Sequence, residues 1–308
     1  MRAAATVGRA LAAAAVARAA LAARAEEPLA YYSDYYSFVG ADARGRVAFA
    51  LDTNRGQDGR AFQAEHFVVL HDERRGWIDV RGNGAYPNPN GALDTIPDSP
   101  DFAFSGSPEN GVTITGPTNG IALEVAPLPR ILERRQPGGR YWLGAASATL
   151  RWDGRAIRGR VIFEYLHRDG WNRLTRKYPG QWRDFHGLYL AVEGGGDFYF
   201  HRQDPADTEP LTGTVVAFAL VDGATQVLSE VAIEVPRRAQ GPGFYRWPEA
   251  WRGSFRAGAG RGDFALELSE RKVIANWVIG GFAMGIVKGE VRIGGVRRAV
   301  YGLGELIL

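Results

Sequence analysis

Cysteine is missing from all 308 residues. Its absence excludes disulfides, Cys-ligated zinc, iron–sulfur clusters and thiol nucleophiles. Lysine is nearly missing too: Lys177, Lys272 and Lys288 stand beside 34 arginines. That bias fits a GC-rich coding sequence as well as it fits any recognition task. No segment carries the roughly 20 consecutive apolar residues of a transmembrane helix. With 40 Gly and 16 Pro, few stretches can sustain a long amphipathic helix. What remains is ordinary globular composition, 45% hydrophobic and 23% charged, long enough for one large domain or two smaller ones.

The formal charge of +3 is unevenly placed. Residues 1–25 hold Arg2, Arg9, Arg18 and Arg24 and no acid, which leaves 33 basic against 34 acidic side chains beyond them. A near-neutral body lacks the basic patch of a nucleic-acid binder, so no nucleic-acid partner is expected. The Ala-rich leader, with Ala23-Arg24-Ala25 as a small-x-small cleavage site, reads as a signal peptide. Export to a periplasm or cell surface is the expectation. Arg18 interrupts the apolar stretch, so a transit peptide for organellar import, or a mis-called start codon, is the alternative.

Past residue 30, short apolar or alternating runs dominate, as strands require. They fall at 47–51, 67–70, 112–115, 121–125, 145–152, 156–165, 187–192, 197–201, 211–220, 226–235, 264–268 and 289–293. Asp153-Gly154 and Asp222-Gly223 sit between runs as hairpin turns. Gly194-Gly195-Gly196 lies between two strands, so it is a hairpin tip and not a phosphate cradle. The expected class is all-β, with two antiparallel barrels or strongly curved sheets side by side. The Pro- and Gly-rich stretch 127–139, with Glu133-Arg134-Arg135, reads as a linker. It divides the chain into a leader (1–25), a first domain (26–130) and a second (131–308). Tyr31-Tyr32-Ser33-Asp34-Tyr35-Tyr36 reads as the exposed start of a first strand, and His66 and His71 as solvated strand ends.

Several motifs, taken in order, resemble the lipocalin-like family of carotenoid 1,2-hydratases and AttH-like proteins. Asp42 to Arg46 matches a D-x-x-G-R turn, and Asn119 to Val125 matches N-G-I-x-L-E-V. Trp152-Asp153-Gly154, Gly159 and Phe163-Glu164 follow the strand that opens the family's second half. Gln181 to Tyr189 corresponds to a tryptophan-rich strand, and Gly302, Gly304 and Glu305 to the C-terminal motif. Where the family has Trp-Met-Asp followed by His or Arg, this chain has Ile162-Phe163-Glu164-Tyr165. The carboxyl is kept and the adjacent base is not. The resemblance implies two lipocalin-like barrels and an apolar ligand, often an isoprenoid. It also points to hydratase-type lyase chemistry; no cofactor and no resident metal are expected.

The residues offer matching chemistry. On a strand, Glu164 and Leu166 share one face and Phe163, Tyr165 and His167 the other. A carboxyl in an apolar pocket can protonate a double bond, and aromatic faces can stabilise the resulting cation. Trp152, Tyr165, Trp171, Trp182 and Tyr189 are candidate faces, with His167 and His201 as further ligand contacts. The plain alternative for Glu164 is an ion pair with Arg160 or Arg168. Asp184 and His186 read as an acid–base pair, as a metal half-site completed by His201, or as two hydrogen-bonded residues at a strand entrance. No G-x-S-x-G elbow supplies a hydrolase nucleophile. Three functions are therefore expected to compete. They are an isoprenoid hydratase with Glu164 as acid, a carrier of an apolar ligand that touches a membrane surface to collect it, and a secreted glycan-binding or glycan-cleaving protein.

Overall fold

The computed structural model describes residues 29–308 except 60, 89–90, 92, 171–183, 204–214, 242 and 277–280. The proposed leader lies outside them. The described chain is almost entirely antiparallel strand, with one short 3-10 turn at Pro117–Asn119. The expected all-β architecture of two curved sheets side by side is what the chain forms.

The first sheet contains β1 (Leu29–Asp42), β2 (Gly45–Asp58), β3 (Ala61–Asp72), β4 (Gly76–Ile78), β5 (Gly84–Pro87), β6 (Ala103–Ser107), β7 (Gly111–Gly116), β8 (Ile121–Val125), β9 (Arg130–Gln136), β10 (Gly139–Trp152) and β11 (Arg155–Asp169). Its main path runs β4-β3-β2-β1-β11-β10-β8-β7-β6, with β5 on β3 and β9 on β10. The second contains β12 (Phe185–Val192), β13 (Gly196–Arg202), β14 (Val215–Val221), β15 (Ala224–Val227), β16 (Ser229–Gln240), β17 (Arg246–Ala257), β18 (Gly260–Asn276), β19 (Gly281–Ile293) and β20 (Val296–Ile307). Its order is β15-β14-β13-β12-β20-β19-β18-β17-β16. Each sheet thus joins its first strand to its last at the centre and meanders outward on both sides.

The change of sheet falls between Asp169 and Phe185, not at the 130/131 division expected from composition. The supposed linker holds β9, an edge strand on β10. Its charges serve that edge: Glu133 pairs with Arg130, Arg135 and Arg140, and charge on an edge discourages pairing with other chains. The hairpin turns are as read. Asp153 and Gly154 have φ of 53° and 68°, Asp222 and Gly223 of 52° and 77°, the paired positive values of a type I′ turn.

Three apolar clusters fill the molecule. One lies inside the first sheet, around Phe38, Phe49, Leu70, Leu123 and Trp142. Another lies inside the second, around Phe198, Phe200, Trp247, Trp251 and Phe264. The third lies between the sheets and draws Tyr35, Tyr141, Leu143 and Ile162 from the first and Tyr189, Tyr199, Phe218 and Leu303 from the second. Strand β1 therefore has no solvent face along most of its length. Tyr31, Tyr35 and Tyr36 are buried, contrary to the exposed start expected of them, because a strand between two cores loses the polar half of its alternation. His66 and His71 are buried for related reasons. His66 packs among Tyr86, Phe102 and Phe104. His71 meets the second sheet, with Nε2 3.0 Å from Glu270 and Nδ1 3.3 Å from the Tyr301 hydroxyl.

Candidate active site between the two sheets

Alternation along β11 sends Phe163 and Tyr165 into the first core and Glu164 and Leu166 out towards the second sheet. There Glu164 meets side chains of β12 and β13. Tyr189 donates its hydroxyl to Glu164 Oε2 at 2.6 Å, and Tyr199 donates to the same oxygen at 3.1 Å. Glu164 Oε1 lies 3.9 Å from His201 Nδ1. His201 Nδ1 is 3.0 Å from the Tyr199 oxygen, and Tyr141 closes the group at 3.3 Å from Tyr199 and 3.4 Å from His201. Tyr199 has one proton to give. With that proton on Glu164, its oxygen accepts from His201 or Tyr141, which makes a chain from the ring to the carboxylate.

Burial pushes the hydroxyls of Tyr35, Tyr141, Tyr189 and Tyr199 well above their ordinary range, and the Glu164 charge adds to the effect on each. They stay neutral donors at any working pH. Each hydrogen bond to a carboxylate is worth about 1.5–3 kcal/mol, enough to fix the Glu164 rotamer.

The group stands on the wall of a hollow between the sheets. The hollow has a volume of about 40 Å³. Leu166, Phe185 and Ile307 give it apolar surface; Asp52, Glu164, His201 and Glu305 give it polar surface. That volume holds a few waters. Asp52 is tied on both oxygens, to Ser33 Oγ at 2.9 Å and Asn54 Nδ2 at 2.8 Å, and Tyr31 donates to Asn54.

Of the residues singled out from sequence, the structure brings Glu164, Tyr189 and His201 together. Tyr165 and His167 lie on the opposite face of β11. Tyr165 packs against Trp142 and Tyr32, and His167 stacks on Tyr32 at 4.2 Å. Trp152 belongs to the first core and lines a separate hollow with Arg75, Arg81 and Asn119. Trp171 and Trp182 lie outside the described residues.

Asp184 and His186 do not join Glu164. His186 turns into the second core, where Trp251 donates to its Nδ1 at 3.2 Å and its Nε2 donates to Asp184 at 2.9 Å. Burial lowers the His186 pKa against the pull of Asp184. The ring is thus a neutral imidazole with both nitrogens engaged. Asp184 is held further by Arg238 at 2.7 Å and Arg202 at 3.3 Å. The metal half-site with His201 does not form: His186 pairs with Arg202 and His201 with Gly187, so the two histidines point to opposite faces. Among the described residues no group of three or more His, Asp or Glu could hold a metal ion. Nor does Glu164 pair with Arg160, whose guanidinium instead crosses to Asp197 at 2.7 Å.

Sequence reading missed Tyr141, Tyr199, Asp52 and the cavity position of Glu305. Tyr199 was findable: it sits two residues from His201 and so shares its face. Tyr141 and Asp52 come from strands far away in sequence, and only the sheet order brings them in.

Two curved antiparallel sheets, each wrapped on its own core and joined along a common face, define a lipocalin-like double barrel. Solved structures share that arrangement. The chain is similar to a Nitrosomonas europaea protein assigned as AttH, with 12% identity, a TM-score of 0.60 and coverage of 90% of this chain and 91% of that one. It is also similar to kievitone hydratase from Nectria haematococca, with 12% identity, a TM-score of 0.51 and coverage of 89% and 88%. At that identity the likeness is one of fold. No protein-family model and no curated protein sequence matches the chain.

Proposed function

We propose that this protein binds an apolar, isoprenoid-like small molecule in the hollow between its sheets and adds water across a double bond, with Glu164 transferring the proton. The observation that carries this reading is the Glu164 carboxyl held by Tyr189 and Tyr199 beside His201 on the cavity wall. Oε1, on the His201 side of the carboxyl at 3.9 Å from Nδ1, is the oxygen to which the transferable proton is assigned. Hydration of a trisubstituted alkene begins with that proton passing to the less substituted carbon. A tertiary cation results, and water oxygen bonds to it. Tyr35 and Tyr189, with ring centroids 4.7 Å apart, line the cavity as electron-rich faces for such a cation. Loss of the second water proton gives the alcohol. The Tyr199–His201 chain offers a route by which Glu164 is reprotonated. That one solved structure of like fold is a hydratase agrees with this chemistry.

The experiment is incubation of the full chain with farnesol and with lycopene in H₂¹⁸O, read by mass spectrometry. An alcohol carrying ¹⁸O from wild type and none from Glu164→Gln is expected. Ligand that is bound and recovered unchanged would replace the enzyme with a carrier.

A further inference from the structure

We propose that Glu305 is a second catalytic group of this site, taking the proton of the attacking water while Glu164 serves the carbon. The inference rests on the hydration reading above and adds the base that reading lacks.

The placement follows from two cross-strand rows that face each other. On the first sheet, Glu164 of β11 is level with Tyr35 of β1, and Tyr35 with Asp52 of β2. On the second, His201 of β13 is level with Gly187 of β12, and Gly187 with Glu305 of β20. The rows meet with His201 beside Glu164, and Tyr35 rests on Tyr189. Glu305 therefore stands two strand spacings from His201, about 10 Å along the row. It is 7% exposed and lines the same cavity as Glu164. Between them Gly187 contributes no side chain. A Cβ there would lie 3.2 Å from the rings of Phe185 and Tyr189. Tyr35 and Tyr189 both feel the charges of Glu164 and Glu305, which places the two carboxyls around the same aromatic pair.

Hydration needs two proton transfers at two places. Carbon gains a proton from Glu164, a C–O bond forms to water, and water loses a proton. If Glu305 takes it, the step ends with Glu164 ionised and Glu305 protonated, and a proton passed back through solvent restores both. No further reactant enters. Asp52 also lines the cavity, but it stands in the same cross-strand row as Glu164, whereas Glu305 faces that row from the second sheet.

The test is hydration of farnesol and lycopene in H₂¹⁸O by wild type, Glu305→Gln and Glu305→Asp, with kcat, KM, the kcat–pH profile and thermal melting recorded. A positioned base contributes about 100-fold or more. Glu305→Gln is expected to lower kcat by that factor with KM within about threefold, and to remove the acid limb of the profile. Glu305→Asp keeps that limb and recovers part of the rate. The groups facing Glu305 across the cavity, Asp52, Glu164, His201, Tyr31, Tyr35 and Tyr189, are unchanged in both variants. Labelled product from wild type with kcat of Glu305→Gln within threefold, or with its acid limb intact, overturns this inference and leaves the hydratase reading standing. A folded wild type that yields no labelled product overturns both.

Discussion

The two sheets follow one path and fill it differently. Each pairs its first strand with its last, β1 with β11 and β12 with β20, and meanders outward from that centre. Inside the first, a charged pair is sealed among apolar residues: Arg55 binds Asp34 at 2.6 Å, the Leu93 carbonyl at 2.9 Å and Thr53 at 3.2 Å. Burial raises the Asp34 pKa while Arg55 opposes it. Inside the second, aromatic rings pack against one another, Phe198, Phe200, Phe255 and Phe264, with His186 satisfied at one end. The path is set by backbone and by close crossings, so what fills each curve is free to differ. The candidate chemistry lies in neither interior but on the face the two sheets share.

The comparison is broken most sharply at the ion pair. Arg55→Met leaves Asp34 buried without a partner and should cost about 3–5 kcal/mol in urea unfolding, while adding Asp34→Leu should recover most of it.

The shared path is tested at its crossing. A Cβ on Gly302 would overlap the Tyr189 carbonyl oxygen, just as one on Gly159 would overlap that of Val39. Gly302→Ala and Gly159→Ala are each expected to lose about 3 kcal/mol of stability or more, since backbone and not a flexible tip is in the way. Because the interface cluster binds the sheets together, both variants should unfold in one transition. Two separate melting steps would show that the halves are independent.

Two imidazoles sharpen the contrast further. Burial holds the His66 pKa at about 3, against an ordinary value near 6.5. A depressed histidine gives stability that is complete above about pH 6.5 and drains away as pH falls towards 3. Roughly 2 kcal/mol should be gone by pH 5, and His66→Phe should flatten that slope. In the second core, Trp251→Phe removes the donor to His186 Nδ1 and should cost about 1 kcal/mol.

Much of this was legible in the sequence where local rules act. Asp-Gly pairs announced hairpins, and alternation placed Glu164 and Leu166 on one face and Tyr165 on the other. The resemblance pointed to a double barrel, and the structure has that architecture. The failures share one cause. Tyr31–Tyr36, His66, His71 and the stretch at 130–136 were read by their own polarity, whereas their surroundings come from strands many tens of residues away. The pairing of β1 with β11, whose partners lie 117 to 139 residues apart along the chain, carries Tyr35 and Asp52 to Glu164, and no local pattern encodes it. Asp184-Phe185-His186 had the right spacing for an acid–base pair, but its strand turns that face inward, towards Trp251.

The central claim is that Glu164 does chemistry at the sheet interface and is not merely held there. The most direct measurement sets turnover against binding for one variant: farnesol affinity by intrinsic fluorescence, and ¹⁸O incorporation from labelled water, for wild type and Glu164→Gln. The account predicts affinity within about threefold and a loss of labelled alcohol of about 100-fold or more. Equal incorporation by both proteins would contradict it.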